Sequence, residues 1–270
     1  MIRLALRVRR ADADVVLAEL LELAPAGLEQ VDRGDQVEFA IYGAAGELPE
    51  LPELRTRVGG ALVSISTSEL ADDWSERWKA FHRPLVLEGL VVRAPWAEQS
   101  ARAGVPELVI DPGRAFGTGA HATTRLCLEL LLGLEPGGPL LDVGCGSGVL
   151  AIAARRLGFS PVFAIDHDPD SVEAAAANAR ANDVVLDVRR ADLRVDALPC
   201  TPVVTANLLR PLLLTLAQRL PAPLPDVLIA GGLLAEEAAE VAAAFAARGL
   251  IERERGAREG WVALHLVRVA

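Results

Sequence analysis

Two hydrophobic periodicities divide the chain. Near the start, "IRLALRV" sets Ile2, Leu4, Leu6 and Val8 against Arg3 and Arg7. Alternation of that kind is the mark of a half-buried strand. The following "ADVVLAELLELA" puts Val16, Leu20 and Leu23 at helical spacing instead. "LEQVD" and "QVEFAIYG" read as two more strands, with "RGD" as the turn between them. "GELPELPELRTRV" predicts a short helix and "ALVSISTSEL" a last strand. The order β-α-β-β-α-β predicts a small ferredoxin-like α+β sandwich over residues 1–68. None of its residues carries an evident catalytic pattern, which points to substrate recognition.

Residues 72–83, "DDWSERWKAFHR", predict a helix with Trp74, Trp78 and Phe81 on one face. Aromatics so placed pack against a neighbour, so 69–95 is read as a linker helix and connecting segment. Short strand-like pieces follow in "PLVLEGLVVRAPW" and "ELVIDPG". From residue 140 the pattern becomes strand–helix alternation. Strands are predicted at 140–143, 161–166, 184–189, 202–206 and 226–230, and helices at 148–158, 170–181, 209–219 and 235–248. Such alternation implies a parallel sheet covered on both faces. The chain then ends in two strand-like runs around a glycine-bearing turn. A parallel α/β sheet finished by a hairpin is the arrangement of seven-stranded, Rossmann-like S-adenosylmethionine-dependent methyltransferases. By that resemblance residues 96–270 are expected to form a methyltransferase-like domain.

"LLDVGCGSGVL" closes the first parallel strand at Asp142 and follows it with Gly144, Gly146 and Gly148. This is not the G-x-G-x-x-G of dinucleotide binders. A backbone crossing the carboxyl end of a strand comes close to a ligand only where side chains are missing. The amides of residues 144–148 are expected to face the ligand, and Asp142 to hold its ammonium or order a water. Asp166 ends the next strand, where a carboxylate accepts hydrogen bonds from ribose hydroxyls without saying which cofactor carries them. Asp192, after the third strand, is placed to accept from an adenine amine or to be a solvated loop acid.

Ahead of this domain stands "DPGRAFGTGAHATTRLCLELL". Its glycines make a loop, and Thr123 and Thr124 open a helix whose apolar residues include Leu126, Leu130 and Leu131. Threonines at a helix start most often cap it. Together with "DDWSERWKAFHRPL", "APW", the glycine loop, "AIDHDPDSVEAAAANARAN", "TANLL" and the closing "GWVAL", this stretch resembles the ribosomal protein L-eleven methyltransferases, the PrmA family. The matching segments run in family order from about residue 72 to the end. The resemblance implies methylation of amino groups, lysine side chains or the N-terminal amine, of that large-subunit protein. It implies S-adenosylmethionine as cofactor, with contacts at Thr124, Gly144, Asp166 and Asn207. The site as a whole is expected to draw on Phe116, Gly117, Thr123, Asp142, Gly146, Gly148 and Asp192 as well. Two positions depart from the family pattern: Ala122 precedes the threonine pair, and "LLRP" follows Asn207. The second separates the chain from methyltransferases of the Asn-Pro-Pro-Tyr type.

Composition narrows the alternatives. The chain has 270 residues, 51% of them apolar and 24% charged, with a net charge of −10. That balance suits a basic macromolecular partner and counts against a nucleic-acid footprint. No apolar run approaches the ~20 residues that cross a bilayer, and the opening segment has no signal-peptide core. Cys127, Cys145 and Cys200 are odd in number and scattered, which predicts a reducing cytoplasm and no disulfide framework. His82, His121, His167 and His265 show no metal-ligand spacing, so no metal is expected. Asn207 is the candidate to orient the substrate amine, or else it caps the following helix. His121 is the candidate base, or else a packing element. The competing functions are a methyltransferase of this fold acting on another protein, RNA or a small molecule, and a non-enzymatic adenosyl-binding module.

Overall fold

The computed structural model describes residues 2–13, 15–17, 20, 28–43, 48–49, 54, 58–69, 84–98, 104–111 and 121–269. The predicted linker helix with Trp74, Trp78 and Phe81 lies outside these residues, as do Phe116 and Gly117. The chain divides into two compact units, Met1–Phe81 and His82–Ala270. Among the described residues no helix is long and apolar enough to cross a membrane.

In the first unit, strands β1 (Ile2–Arg9), β2 (Glu29–Asp32), β3 (Gln36–Gly43) and β4 (Leu62–Glu69) form one sheet in the order β2-β3-β1-β4. Every neighbouring pair is antiparallel. The predicted "RGD" turn joins β2 to β3, with Gly34 at φ +80°. Leu4, Leu6 and Val8 of β1 bury against Val37, Phe39 and Ile41 of β3 and against Val16, Leu20, Leu54 and Val58. The opposite sheet face carries Arg3 and Arg7, with Glu38 registered opposite Arg7.

The second unit opens with a three-stranded sheet of β5 (Leu85–Val86), β6 (Val91–Arg93) and β7 (Glu107–Val109). Its main body is seven-stranded. Strands β8 (Leu140–Val143), β9 (Val162–Asp166), β10 (Asp187–Arg190), β11 (Val203–Asn207), β12 (Val227–Leu234), β13 (Leu250–Arg258) and β14 (Trp261–Arg268) lie in the order β10-β9-β8-β11-β12-β14-β13. The first five are parallel; β14 runs antiparallel to β12 and to β13, which forms the predicted terminal hairpin.

Helices α1 (Ala122–Leu132), α2 (Val149–Leu157), α3 (Pro169–Ala181), α4 (Arg210–Arg219) and α5 (Ala238–Ala246) cover the sheet. Successive strand residues point to opposite sides, so the sheet feeds two cores. Leu140, Ala164 and Val203 pack with α1 and α2, whereas Leu141, Ile165 and Val204 pack with α4 and α5.

Several boundaries differ from the periodicity by one to four residues, among them the last helix, predicted at 235–248 and found at Ala238–Ala246, and two have causes visible in the backbone. β10 begins at 187 because residues 183–184 close helix α3. Asp183 takes φ 52°, its N–H bonds the Arg180 carbonyl and that of Val184 bonds Ala179, which is a Schellman motif. β12 runs on to Leu234 because Gly231 and Gly232 form a bulge, seen as a register shift against β14 between Ala230 and Leu233.

Candidate active site

Strand order reverses at β8, whose neighbours are β9 and β11. In open parallel sheets, ligands bind outside the carboxyl ends of the strands at such a switch point. The predicted residues collect there. Asp142 lies on β8, Gly144–Gly148 follow it, Asp166 ends β9 and Asn207 ends β11.

The glycine loop works differently from the expectation that its amides face the ligand. The N–H groups of Gly144 and Cys145 both donate to the Ile165 carbonyl, at 2.8 and 3.0 Å, and Gly148 donates to Cys145 at 2.8 Å. Gly146 donates to Asp166 Oδ2 at 3.0 Å. Four of the five amides therefore tie the loop to β9 and to itself. The loop's first glycine serves the protein's own packing: a Cβ on Gly144, at φ +71°, would lie 2.3 Å from the Leu208 side chain.

Asp166 is 8% exposed. Its Oδ1 accepts from Asp168 N at 3.0 Å and stands 3.2 Å from His167 Nδ1. Each carboxylate oxygen has about two lone-pair sites, so Oδ2, with Gly146 N alone on it, keeps room for a hydroxyl donor.

Asp142 is 1% exposed, and Thr205 on β11 donates its hydroxyl to Oδ1 at 2.7 Å. Oδ2 is buried with no hydrogen-bond partner among the described residues. Burial pushes this carboxyl up to about 7, against the pull of the Thr205 hydroxyl and of the Ala151 backbone amide.

Asp192 lines a cavity of about 340 Å³ beside β10, with His167, Arg190, Ala191, Arg194 and Asp196. Both of its oxygens are held by Arg194, at 2.9 and 2.8 Å, and that guanidinium draws its pKa down to about 2.

At the start of α1 the threonines are not the cap. His121 is, its Nδ1 receiving the Thr123 N–H at 3.4 Å and standing 2.9 Å from Thr123 Oγ1. Its ring meets Trp261 edge-on, with centroids 4.9 Å apart. Burial lowers its pKa, so the imidazole is neutral at pH 7.

Thr123 and Thr124 are 1% and 0% exposed. Across 83 residues of sequence, Asn207 Nδ2 donates to Thr124 Oγ1 at 3.3 Å. Asn207 Oδ1 is buried without a donor among the described residues. Leu209, not Asn207, occupies the cap position of α4.

Two supporting residues, Gly231 and Thr205, are not among the site residues that the sequence predicts. Gly231 pairs with Asn207 across the sheet, and a Cβ there would stand 2.3 Å from Cys127 Sγ and 3.2 Å from Asn207 Oδ1. The doubled glycine in "AGGLL" was the available signal. Thr205 had none, since a threonine in a buried strand is unexceptional.

Residues 41–269 match the sequence profile of the family described as "Ribosomal protein L11 methyltransferase (PrmA)". A protein of that name from Symbiobacterium thermophilum is 33% identical over 97% of each chain. One from Pelobacter propionicus is 42% identical over 76% of this chain and 70% of its own. A crystal structure described as ribosomal protein L11 methylase, from Lactobacillus delbrueckii subsp. bulgaricus, superposes with a TM-score of 0.62 at 28% identity, covering 68% of this chain and 97% of that one. By its profile, its relatives and its fold, the chain belongs to the PrmA family of methyltransferases.

Proposed function

We propose that this chain transfers methyl groups from S-adenosylmethionine to amino groups of large-subunit ribosomal protein L11, either lysine side chains or the N-terminal amine. The observation that carries the reading is the Thr124–Asn207 hydrogen bond. It joins the family's threonine pair to the end of the fourth parallel strand, beside the glycine loop.

The residues at this edge fit the cofactor. Asp166 Oδ2, which takes only the Gly146 N–H, keeps a lone pair for a ribose hydroxyl. Asp142 Oδ2 and Asn207 Oδ1 are acceptors with no donor among the described residues, and an ammonium or amine supplies donors. S-adenosylmethionine, when bound, provides an electrophilic sulfonium methyl group.

The protein's task is then alignment and removal of water. A lysine amine, pKa about 10.4 in water, loses its proton more readily when buried beside positive charge. Asn207 Oδ1 accepts a hydrogen bond from that amine and turns its lone pair toward the methyl carbon. Thr124 fixes the amide from behind. His121 has its Nδ1 engaged with Thr123 and serves the helix, not the proton transfer. The amino-terminal unit, lacking these motifs, recognises the protein substrate. No nucleic acid is required, and the net charge of −10 favours a basic protein partner in the cytoplasm.

Incubation with methyl-labelled S-adenosylmethionine and unmethylated ribosomal components tests this. Label should enter L11 amines and spare ribosomal RNA. Label confined to RNA, or absent from both, would overturn it.

A further inference from the structure

Helix α3 and the turn after it carry two asparagines one helical turn apart, Asn178 and Asn182, each 3% exposed. Both face β7, the edge strand of the small sheet. There Ile110 N bonds the Arg93 carbonyl, so the peptide groups of residues 109 and 111 point away from β6. Asn182 Oδ1 accepts from Val109 N at 2.8 Å, and its Nδ2 donates to Val109 O at 2.7 Å. Asn178 Oδ1 accepts from Asp111 N at 2.9 Å, and its Nδ2 donates to Asp111 O at 3.4 Å. A carboxamide carries its acceptor and donors much as a peptide group does. The two side chains thus complete the strand edge as another strand would.

Each Nδ2 has a second hydrogen, and here the two residues part. Asn182 gives it to the Asn178 carbonyl, at 2.8 Å. Asn178 gives it to the Ser147 carbonyl, at 2.9 Å, inside the glycine loop. Ser147 lies between Gly146, whose amide holds Asp166, and Gly148, which precedes α2.

We propose that Asn178 is a positioning residue for cofactor binding, its carboxamide anchoring the glycine loop to the backbone at Asp111, while Asn182 makes a matching clamp that serves stability alone. The inference rests on the reading of this loop as the S-adenosylmethionine cradle. A segment with three glycines has unusual backbone freedom to lose when a ligand orders it. Fixing the loop beforehand removes that loss from the binding step.

Calorimetric titration of the full chain with S-adenosylmethionine, alongside thermal unfolding, tests the division of roles. Asn178→Ala should weaken cofactor binding about tenfold, the order expected for one well-made hydrogen bond. Its KM for the cofactor should rise while kcat at saturating cofactor stays near the parent's. Asn182→Ala should lower Tm at least as much yet keep parental affinity. Parental affinity in Asn178→Ala, or an equal loss in Asn182→Ala, would overturn the proposal. Asp166→Ala separates the two possible failures. Unchanged affinity there sinks the cradle itself, whereas lost affinity there beside an intact Asn178→Ala sinks only the role of Asn178. If Asn178→Ala does not fold, hydrogen exchange on the parent decides. Added S-adenosylmethionine should slow exchange at residues 107–111 together with 144–148, and no slowing at 107–111 overturns the link.

Discussion

Glu38 in the amino-terminal unit and Asp142 in the carboxyl-terminal unit are both shut away from water, 3% and 1% exposed, and their surroundings are opposite. Glu38 accepts from Arg3 at 2.8 Å, from Arg7 at 2.6 Å and from Arg33 at 3.3 Å. Arg7 and Arg3 hold its carboxyl down at about 2 against the cost of burial. Asp142 has one hydroxyl donor and an oxygen with none among the described residues, and burial pushes it up to about 7. Burial alone does not say what a carboxylate is for. Where partners saturate it, the group holds a sheet together; where they fall short, the missing donor points to a ligand.

Asn207 extends the second pattern, and altering it gives the largest expected effect. Asn207→Ala should lower the methylation rate by about a hundredfold or more, as happens when a positioning group is lost. Cofactor affinity should change far less. Single-turnover rates at saturating cofactor check this, and a loss under about tenfold would return Asn207 to a structural role.

The saturated carboxylate comes next. Glu38→Ala removes the acceptor that Arg3, Arg7 and Arg33 share; with Arg7 and Arg33 half-exposed, so that water takes up their charge, it should cost on the order of 1–2 kcal/mol in the amino-terminal unit. Denaturant unfolding measures it. Because the folded pKa lies below the ordinary 4.5, this stability is present above about pH 4.5 and drains away as pH falls toward about 2.

Asp142 should show the reverse sign. Its folded pKa lies above the ordinary 3.8, so its contribution is favourable below about pH 4 and is lost as pH rises through about 7. Asp142→Asn keeps the acceptor for Thr205 and removes the buried charge. At pH 8 it should therefore raise Tm, by roughly 2–4 °C for each kcal/mol relieved, while cofactor binding weakens. A lower Tm would mean that Asp142 is structurally satisfied after all, and the contrast with Glu38 would collapse.

His121→Ala should do least. Losing a helix cap costs about 1 kcal/mol, with a modest fall in rate. The variant should keep the parent's dependence of rate on pH, since its depressed pKa leaves the imidazole neutral. Loss of a rate inflection between about pH 6 and 7 on removing His121 would instead identify it as the base.

What was legible in the sequence followed from local rules. Period two against period 3.6 marked the strands and helices from residue 140 onward to within a few residues. Glycines at alternate positions marked the loop, and acids at strand ends marked Asp142 and Asp166. Each of these signals lies within a few residues of chain, where sterics and side-chain direction act directly. The tertiary structure alone decided the rest. Thr124 meets Asn207 across 83 residues, Asn178 meets Asp111 across 67 and Arg3 meets Glu38 across 35. It also decided that the glycine amides turn inward to Ile165 and Asp166, and that His121 is used as a cap. Such pairings depend on strand order and register, which are chosen by the burial of whole faces at once. No short segment carries that information, because a one-residue change of register would send every side chain to the other face of its sheet.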